Sequence, residues 1–69
     1  MLAGMEYRVD LYAADGVYQD TVGFVARNEV EAVITARGLV VAKGLDRARV
    51  WRRDGAGQLQ HIEWVGAER

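Results

Sequence analysis

Arg47-Ala48-Arg49-Val50-Trp51-Arg52-Arg53, then Asp54-Gly55-Ala56-Gly57, then Gln58-Leu59-Gln60-His61-Ile62-Glu63-Trp64-Val65 crowds arginines and aromatics around a glycine-rich break in the last third of the chain. Two runs carrying β-branched and aromatic residues flank a glycine-containing break, a pattern that predicts a β-hairpin. Gly55-Ala56-Gly57 serves as a three-residue loop whose last glycine suits a bulge with positive φ. Pairing Val50 with Ile62 and Ala48 with Trp64 gathers an apolar set on one side. The opposite side then carries Arg49 against Glu63, Trp51 against His61 and Arg53 against Leu59. A slip of one residue would exchange the two faces.

Upstream, Asn28 opens a helix. Its side chain can cap free backbone N–H groups, Glu31 stands three positions on as in a capping box, and Glu29 and Glu31 complement the dipole. Gly44 suits the left-handed position after the last turn and leaves Leu45 to fold back on Val40 or Val41. The helix is expected over about Glu29 to Lys43, with Val30, Val33, Ile34, Val40 and Val41 as an apolar arc covering the sheet. Gly38 costs about 1 kcal/mol inside a helix and would permit an earlier end near Arg37, but the arc continues through Val41.

Further upstream, polarity alternates from Met5 to Tyr12, with Met5, Tyr7, Val9 and Leu11 on one side and Glu6, Arg8, Asp10 and Tyr12 on the other. That is a half-buried strand. Asp15-Gly16 as a two-residue turn would set Val9 against Val22 and Tyr7 against Phe24, so a second strand follows over about Val17 to Val25, with Gly23 opposite Arg8. The order β-β-α-β-β predicts an α+β fold, a four-stranded sheet with one helix packed on one face. Residues 1–69 are read as one small domain, with 1–4 and 66–69 as flexible tails.

The frame Tyr7-Arg8-Val9-Asp10-Leu11-Tyr12, the Asp15-Gly16 that follows, and Gly44-Leu45-Asp46-Arg47-Ala48-Arg49-Val50-Trp51 resemble small uncharacterised ββαββ proteins of GC-rich bacteria and their phages. The resemblance spans most of the chain and implies the fold, with no activity attached. Eight arginines against one lysine agree with a GC-rich genome.

Composition removes several function classes. In a chain of 69 residues a single core supplies only about 3–5 kcal/mol of net stability. With no cysteine, neither disulfides nor thiolate metal sites can add to it. Association with a partner is the remaining route to more buried area. The chain is 51% hydrophobic and 28% charged in mixed order, which argues against disorder. A net charge of −1 gives no long-range field to attract nucleic acid. Met1-Leu2-Ala3-Gly4 is too short for a signal peptide, and no apolar run approaches the roughly 20 residues needed to span a bilayer, so a cytoplasmic protein is expected. Without serine or cysteine, and with His61 as the only histidine, a Ser-His or Cys-His nucleophile cannot be assembled. His61 also lacks a second nitrogen or sulfur ligand. No enzyme activity, cofactor or metal is expected.

Three clusters remain. Arg49, Trp51, Arg53 and His61 on one hairpin face could stack on bases or anchor a protein, or simply form cross-strand pairs. Asp46, Asp54 and Glu63 nearby weaken the nucleic-acid reading, because phosphate binding scales with uncompensated positive charge. Ala32, Thr35, Ala36, Leu39 and Ala42 are expected to face away from the sheet with little charge, a helix face suited to a homodimer or another partner, or merely good helix formers. Arg37 and Asp20 form either a partly buried ion pair or two marginal groups, with Arg37 reaching water along its stem. The expected function is a small protein-interaction module, an accessory or inhibitor protein of a bacterium or phage that docks on a larger protein or self-associates. The alternative is a nucleic-acid-binding module using the Arg/Trp hairpin face.

Overall fold

The alternating stretches form strands and the capped stretch forms a helix. The computed structural model describes residues 4–66. In chain order the elements are β1 Met5–Tyr12, β2 Tyr18–Ala26, α1 Glu29–Ala42, β3 Arg47–Arg53 and β4 Leu59–Gly66. The strands make one antiparallel sheet in the order β2-β1-β3-β4, with α1 on one side. The two hairpins meet along β1 and β3, where Val9 faces Val50 and Leu11 faces Ala48. Of the expected tails, 1–3 and 67–69 lie outside the described residues. Gly66 belongs to β4, where it pairs with Arg47.

Both hairpins close on the same turn. Ala13 N–H donates to the Val17 carbonyl and Gly16 N–H to Ala13, with Gly16 at φ 85°. Asp54 N–H donates to the Gln58 carbonyl and Gly57 N–H to Asp54, with Gly57 at φ 84°. Each is a three-residue loop ending on a left-handed glycine. This corrects the first turn, since a two-residue Asp-Gly loop would need positive φ at Asp15 as well, and no residue except glycine has it among those described. Tyr7 still faces Phe24 and Val9 still faces Val22, because the register shifts by one residue between Leu11 and Tyr12, leaving Gln19 as an extra residue on β2.

A second shift, between Val50 and Trp51, leaves Ile62 as the extra residue on β4. Trp51 against His61 and Arg53 against Leu59 stand as expected. Beyond the bulge every pair moves by one: Val50 faces Glu63, Arg49 faces Trp64 and Ala48 faces Val65. The expected Ala48–Trp64, Val50–Ile62 and Arg49–Glu63 pairs are therefore corrected. The bulge brings compact Val65 into the core and turns bulky Trp64 onto the open face. Each edge strand thus carries one bulge, a device that bends an edge and discourages further pairing.

Asn28 caps α1, its side chain accepting from Glu31 N–H at 2.9 Å. The Glu31 carboxylate accepts from Arg27 N–H and from its guanidinium, and these bonds, the backbone one foremost, hold its pKa below the usual carboxylate range. At the other end Leu45 N–H donates to Val40 and Gly44 N–H to Val41, with Gly44 at φ 66°. This is a Schellman stop.

The helix faces the sheet with a side other than the expected one. Ala32, Ala36 and Val40 are fully buried, and Val33 and Leu39 pack at the flanks. Val30, Ile34 and Val41 point outward, 69%, 62% and 58% exposed. Apolar residues all round α1 leave no preferred side, so the chain on either end sets its phase. Only Arg27 and Asn28 separate it from β2, and Leu45 is drawn into the core at the other end. Small residues then let the helix sit close over the Tyr7, Val9, Leu11 and Val50 side chains that fill the sheet's inner face. Asp20 lies opposite Leu11 as expected but pairs with Lys43 at 3.6 Å, while Arg37 is half-buried on the outer flank of α1 beside Ile34.

Candidate functional site

The sheet face away from the helix is built in transverse rows. Tyr18, Tyr12 and Arg47 form one; Thr21, Asp10, Arg49 and Trp64 the next; Gly23, Arg8, Trp51 and His61 the third; and Val25, Glu6, Arg53 and Leu59 the fourth. Strand alternation puts these residues side by side although they come from four segments.

Asp10 is the hub of this face. It is buried, 8% exposed, and accepts from Trp51 Nε1 at 2.9 Å, Thr21 Oγ1 at 2.9 Å and Arg8 Nε at 3.1 Å. Three donors compensate the desolvation of this one carboxylate, as a buried charge requires. The Thr21 hydroxyl is also hydrogen-bonded to that of Tyr18, extending the network to the β2 edge.

Trp51 is fixed on several sides. The Arg49 guanidinium lies 4.2 Å from the centre of its ring, and His61 meets it edge-on at 5.7 Å. Arg49 Nε donates to His61 Nδ1 at 2.9 Å, which assigns the lone pair of His61 to Nδ1. Trp64 continues the cluster: Arg47 and Arg49 lie 5.2 and 5.5 Å from its ring, and Tyr12 packs at 5.5 Å. Such cation–π contacts stabilise a face while keeping the charges in water.

Arg49, Trp51 and His61 thus come together as the hairpin reading requires, and Arg53 does not join them. It donates to the Gly57 carbonyl at 2.7 Å and pairs with Glu6 at 3.4 Å. Asp10, Trp64, Tyr12 and Arg47 were not among the expected residues. Asp10 and Tyr12 were legible as the polar side of β1, but their proximity to Trp51 depends on the β1–β3 pairing, and Trp64 depends on the bulge. Over Gly23, where a side chain is missing from the third row, a cleft of about 340 Å³ opens between Arg8, Thr21, Val25, Arg53 and Leu59.

In the adjoining turn, Asp54 accepts from Gln58 N–H, Ala56 N–H and the Gln60 amide. These bonds, the one from Gln58 foremost, hold its pKa below the usual range. Among the described residues no group of histidine and carboxylate ligands is placed to hold a metal ion.

The expected helix surface is replaced by its opposite. Ala32 and Ala36 are buried against the sheet and cannot meet a partner, while Leu39 is half-buried. Thr35 and Ala42 remain exposed, with the Thr35 hydroxyl donating back to the Glu31 carbonyl. The surface α1 actually presents is Val30, Ile34 and Val41, with Gly38 and Arg37 between them. Among the described residues no helix is long and apolar enough to cross a membrane. Comparison with models of known protein families, with curated proteins and with solved structures found no match to this chain.

Proposed function

We propose that this chain is a non-enzymatic protein-interaction module whose docking surface is the outer face of α1. The observation that carries the proposal is the exposure of Val30, Ile34 and Val41 on a helix that turns alanines inward. Three large β-branched residues lie exposed along one side of α1, interrupted by Gly38 and Arg37, and exposed apolar surface of this kind on small proteins marks contact surfaces. A helix offered this way is read by its partner through anchors at i, i+4 and i+11, here Val30, Ile34 and Val41. We further place the protein in the cytoplasm, as an accessory or inhibitor protein of a bacterium or phage.

A second reading, a nucleic-acid-binding face, draws on Arg8, Arg47, Arg49 and Arg53 against Glu6 and Asp10 on the open sheet face. We rank it lower because Arg49 already covers the Trp51 ring and Asp10 holds its N–H. A base stacks on an uncovered aromatic face.

The test is site-specific photo-crosslinking in the source cell, with the probe at Ile34 and, as control, at Asp15 in the exposed first turn. Discrete adducts at Ile34 that disappear with Val30→Lys are expected. Equal yields at the two positions would remove the docking reading.

A further inference from the structure

The outer face of α1 carries an exposed ridge at Ile34 next to a hollow at Gly38. Nothing lies within 4 Å of where a Gly38 side chain would begin, and the hollow there is bounded by Ile34, Arg37, Val41 and Ala42. One turn earlier Ile34 stands out as a ridge, 62% exposed, with another hollow on its far side between Val30, Val33, Arg37 and Glu63. Knob and hole lie at equal distances on either side of Ala36. Resting on the reading of this face as a docking surface, we infer that its occupant is a second copy of this chain, packed antiparallel about a two-fold axis at the level of Ala36.

In that arrangement Ile34 of each copy enters the Gly38 hollow of the other, and Val30 meets the Val41–Ala42 end. A two-fold contact must be self-complementary in this way. Parallel packing would stack Ile34 on Ile34 and leave the two hollows facing each other unfilled, losing the close packing that stabilises an interface. Charge agrees with the antiparallel choice. Arg37 and Glu63 border the same hollow on one flank of the face, and inversion sets each arginine beside the other copy's glutamate. A 14-residue helix is about 21 Å long, so the contact belongs to the small, transient class and association is expected in the micromolar range.

The experiment is sedimentation equilibrium on the full chain from low to high micromolar concentration. The parent should move from monomer toward dimer mass. Ile34→Asp should weaken association at least about tenfold. Gly38→Leu separates a fitted interface from a sticky patch, because it adds apolar surface and helix propensity yet fills the hole; it should weaken the dimer about as much. Ile34→Ala combined with Gly38→Leu moves knob and hole to exchanged places and should restore the dimer. A parent that stays monomeric throughout overturns the second-copy proposal, and so does a Gly38→Leu variant that associates more tightly. Crosslinking at Ile34 to a different protein, beside a monomeric parent, would sink the homodimer while leaving the docking reading standing. Failure of both would sink the two together.

Discussion

Removing the Asp10 carboxylate should cost more stability than removing any other acidic group on the open sheet face. Asp10 accepts three hydrogen bonds at 8% exposure. The bond from Trp51 Nε1 to a shielded carboxylate is worth about 1.5–3 kcal/mol, and the Thr21 bond about 1. The Arg8 pair, whose guanidinium side is 42% exposed, adds about 0–1 kcal/mol. Asp10→Ala is therefore expected to lose about 3 kcal/mol, equivalent to a drop in Tm of roughly 12–24 °C for a domain of this size. Urea unfolding followed by far-UV circular dichroism measures the loss. Trp51→Phe removes the same strong bond from the other end and should cost about 2 kcal/mol. In a double-mutant cycle the two substitutions should couple by about 1–2 kcal/mol, because each deletes the other's partner. Additive losses within about 0.5 kcal/mol would refute the hub, as would an Asp10→Ala variant no less stable than Asp20→Ala, which breaks an exposed pair with Lys43 and an exposed hydrogen bond from Thr21 N–H.

The helix orientation is tested by charge insertion: Ala36→Glu buries a carboxylate under α1 and should cost about 3 kcal/mol or more, whereas Ile34→Glu at low micromolar concentration should stay within about 0.5 kcal/mol of the parent. The reverse ranking in thermal melts would show that the other side faces the sheet. Gly16→Val places a β-branched residue at φ 85° and should destabilise by about 1–3 kcal/mol; an unchanged Tm would contradict the turn. The Asp54 pKa is lowered in the folded state by its turn hydrogen bonds, so its contribution is fully present above the unfolded-state pKa and is lost as pH falls through the folded one. Asp54→Asn should therefore be less stable than the parent at neutral pH and should converge with it on acidification, and a difference that persisted at pH values below both pKas would count against the ionised carboxylate as the cause.

Much of the fold was legible because local signals agree with one another. Strict alternation in Met5–Tyr12, the Asn28 cap with Glu31, and Gly44 followed by Leu45 each name an element or an end, and the structure contains all three. The register of the first hairpin also follows from matching Tyr7 and Val9 to Phe24 and Val22. The bulges at Gln19 and Ile62 were not legible. A bulge resolves a conflict between turn geometry and which residues the core accepts, and that conflict appears only when both strands are placed. In β4, the three-residue turn and the Trp51–His61 pair carry Trp64 toward the helix side unless one residue is skipped. Ala48, beneath α1, leaves room for Val65 and none for an indole, and the skip at Ile62 follows.

The same skip makes the open face what it is. By displacing Trp64 to the open face and Glu63 to an exposed position on the helix side, it exchanges an expected Arg49–Glu63 pair for an Arg49–Trp64 contact. Arg49 is thereby left to lie over Trp51 and bond His61. The phase of the helix has a related origin. The largest apolar residues, Val30, Ile34 and Val41, suggest one side for burial, but apolar residues run all round α1, and a helix tied to β2 by two residues takes its phase from that connection. Ala32 and Ala36 shorten the helix-to-sheet distance, so Val40 with the flanking Val33 and Leu39 completes the core. The larger residues are then left in water, where their exposure is unfavourable unless something covers them. These side chains are 58–69% exposed, so covering them would recover about 1–2 kcal/mol each, together comparable to the small net stability available to a chain of this length. Association through this face would therefore stabilise the fold as well as join two molecules. The Tm of the parent should rise with protein concentration, and that of Ile34→Asp should not.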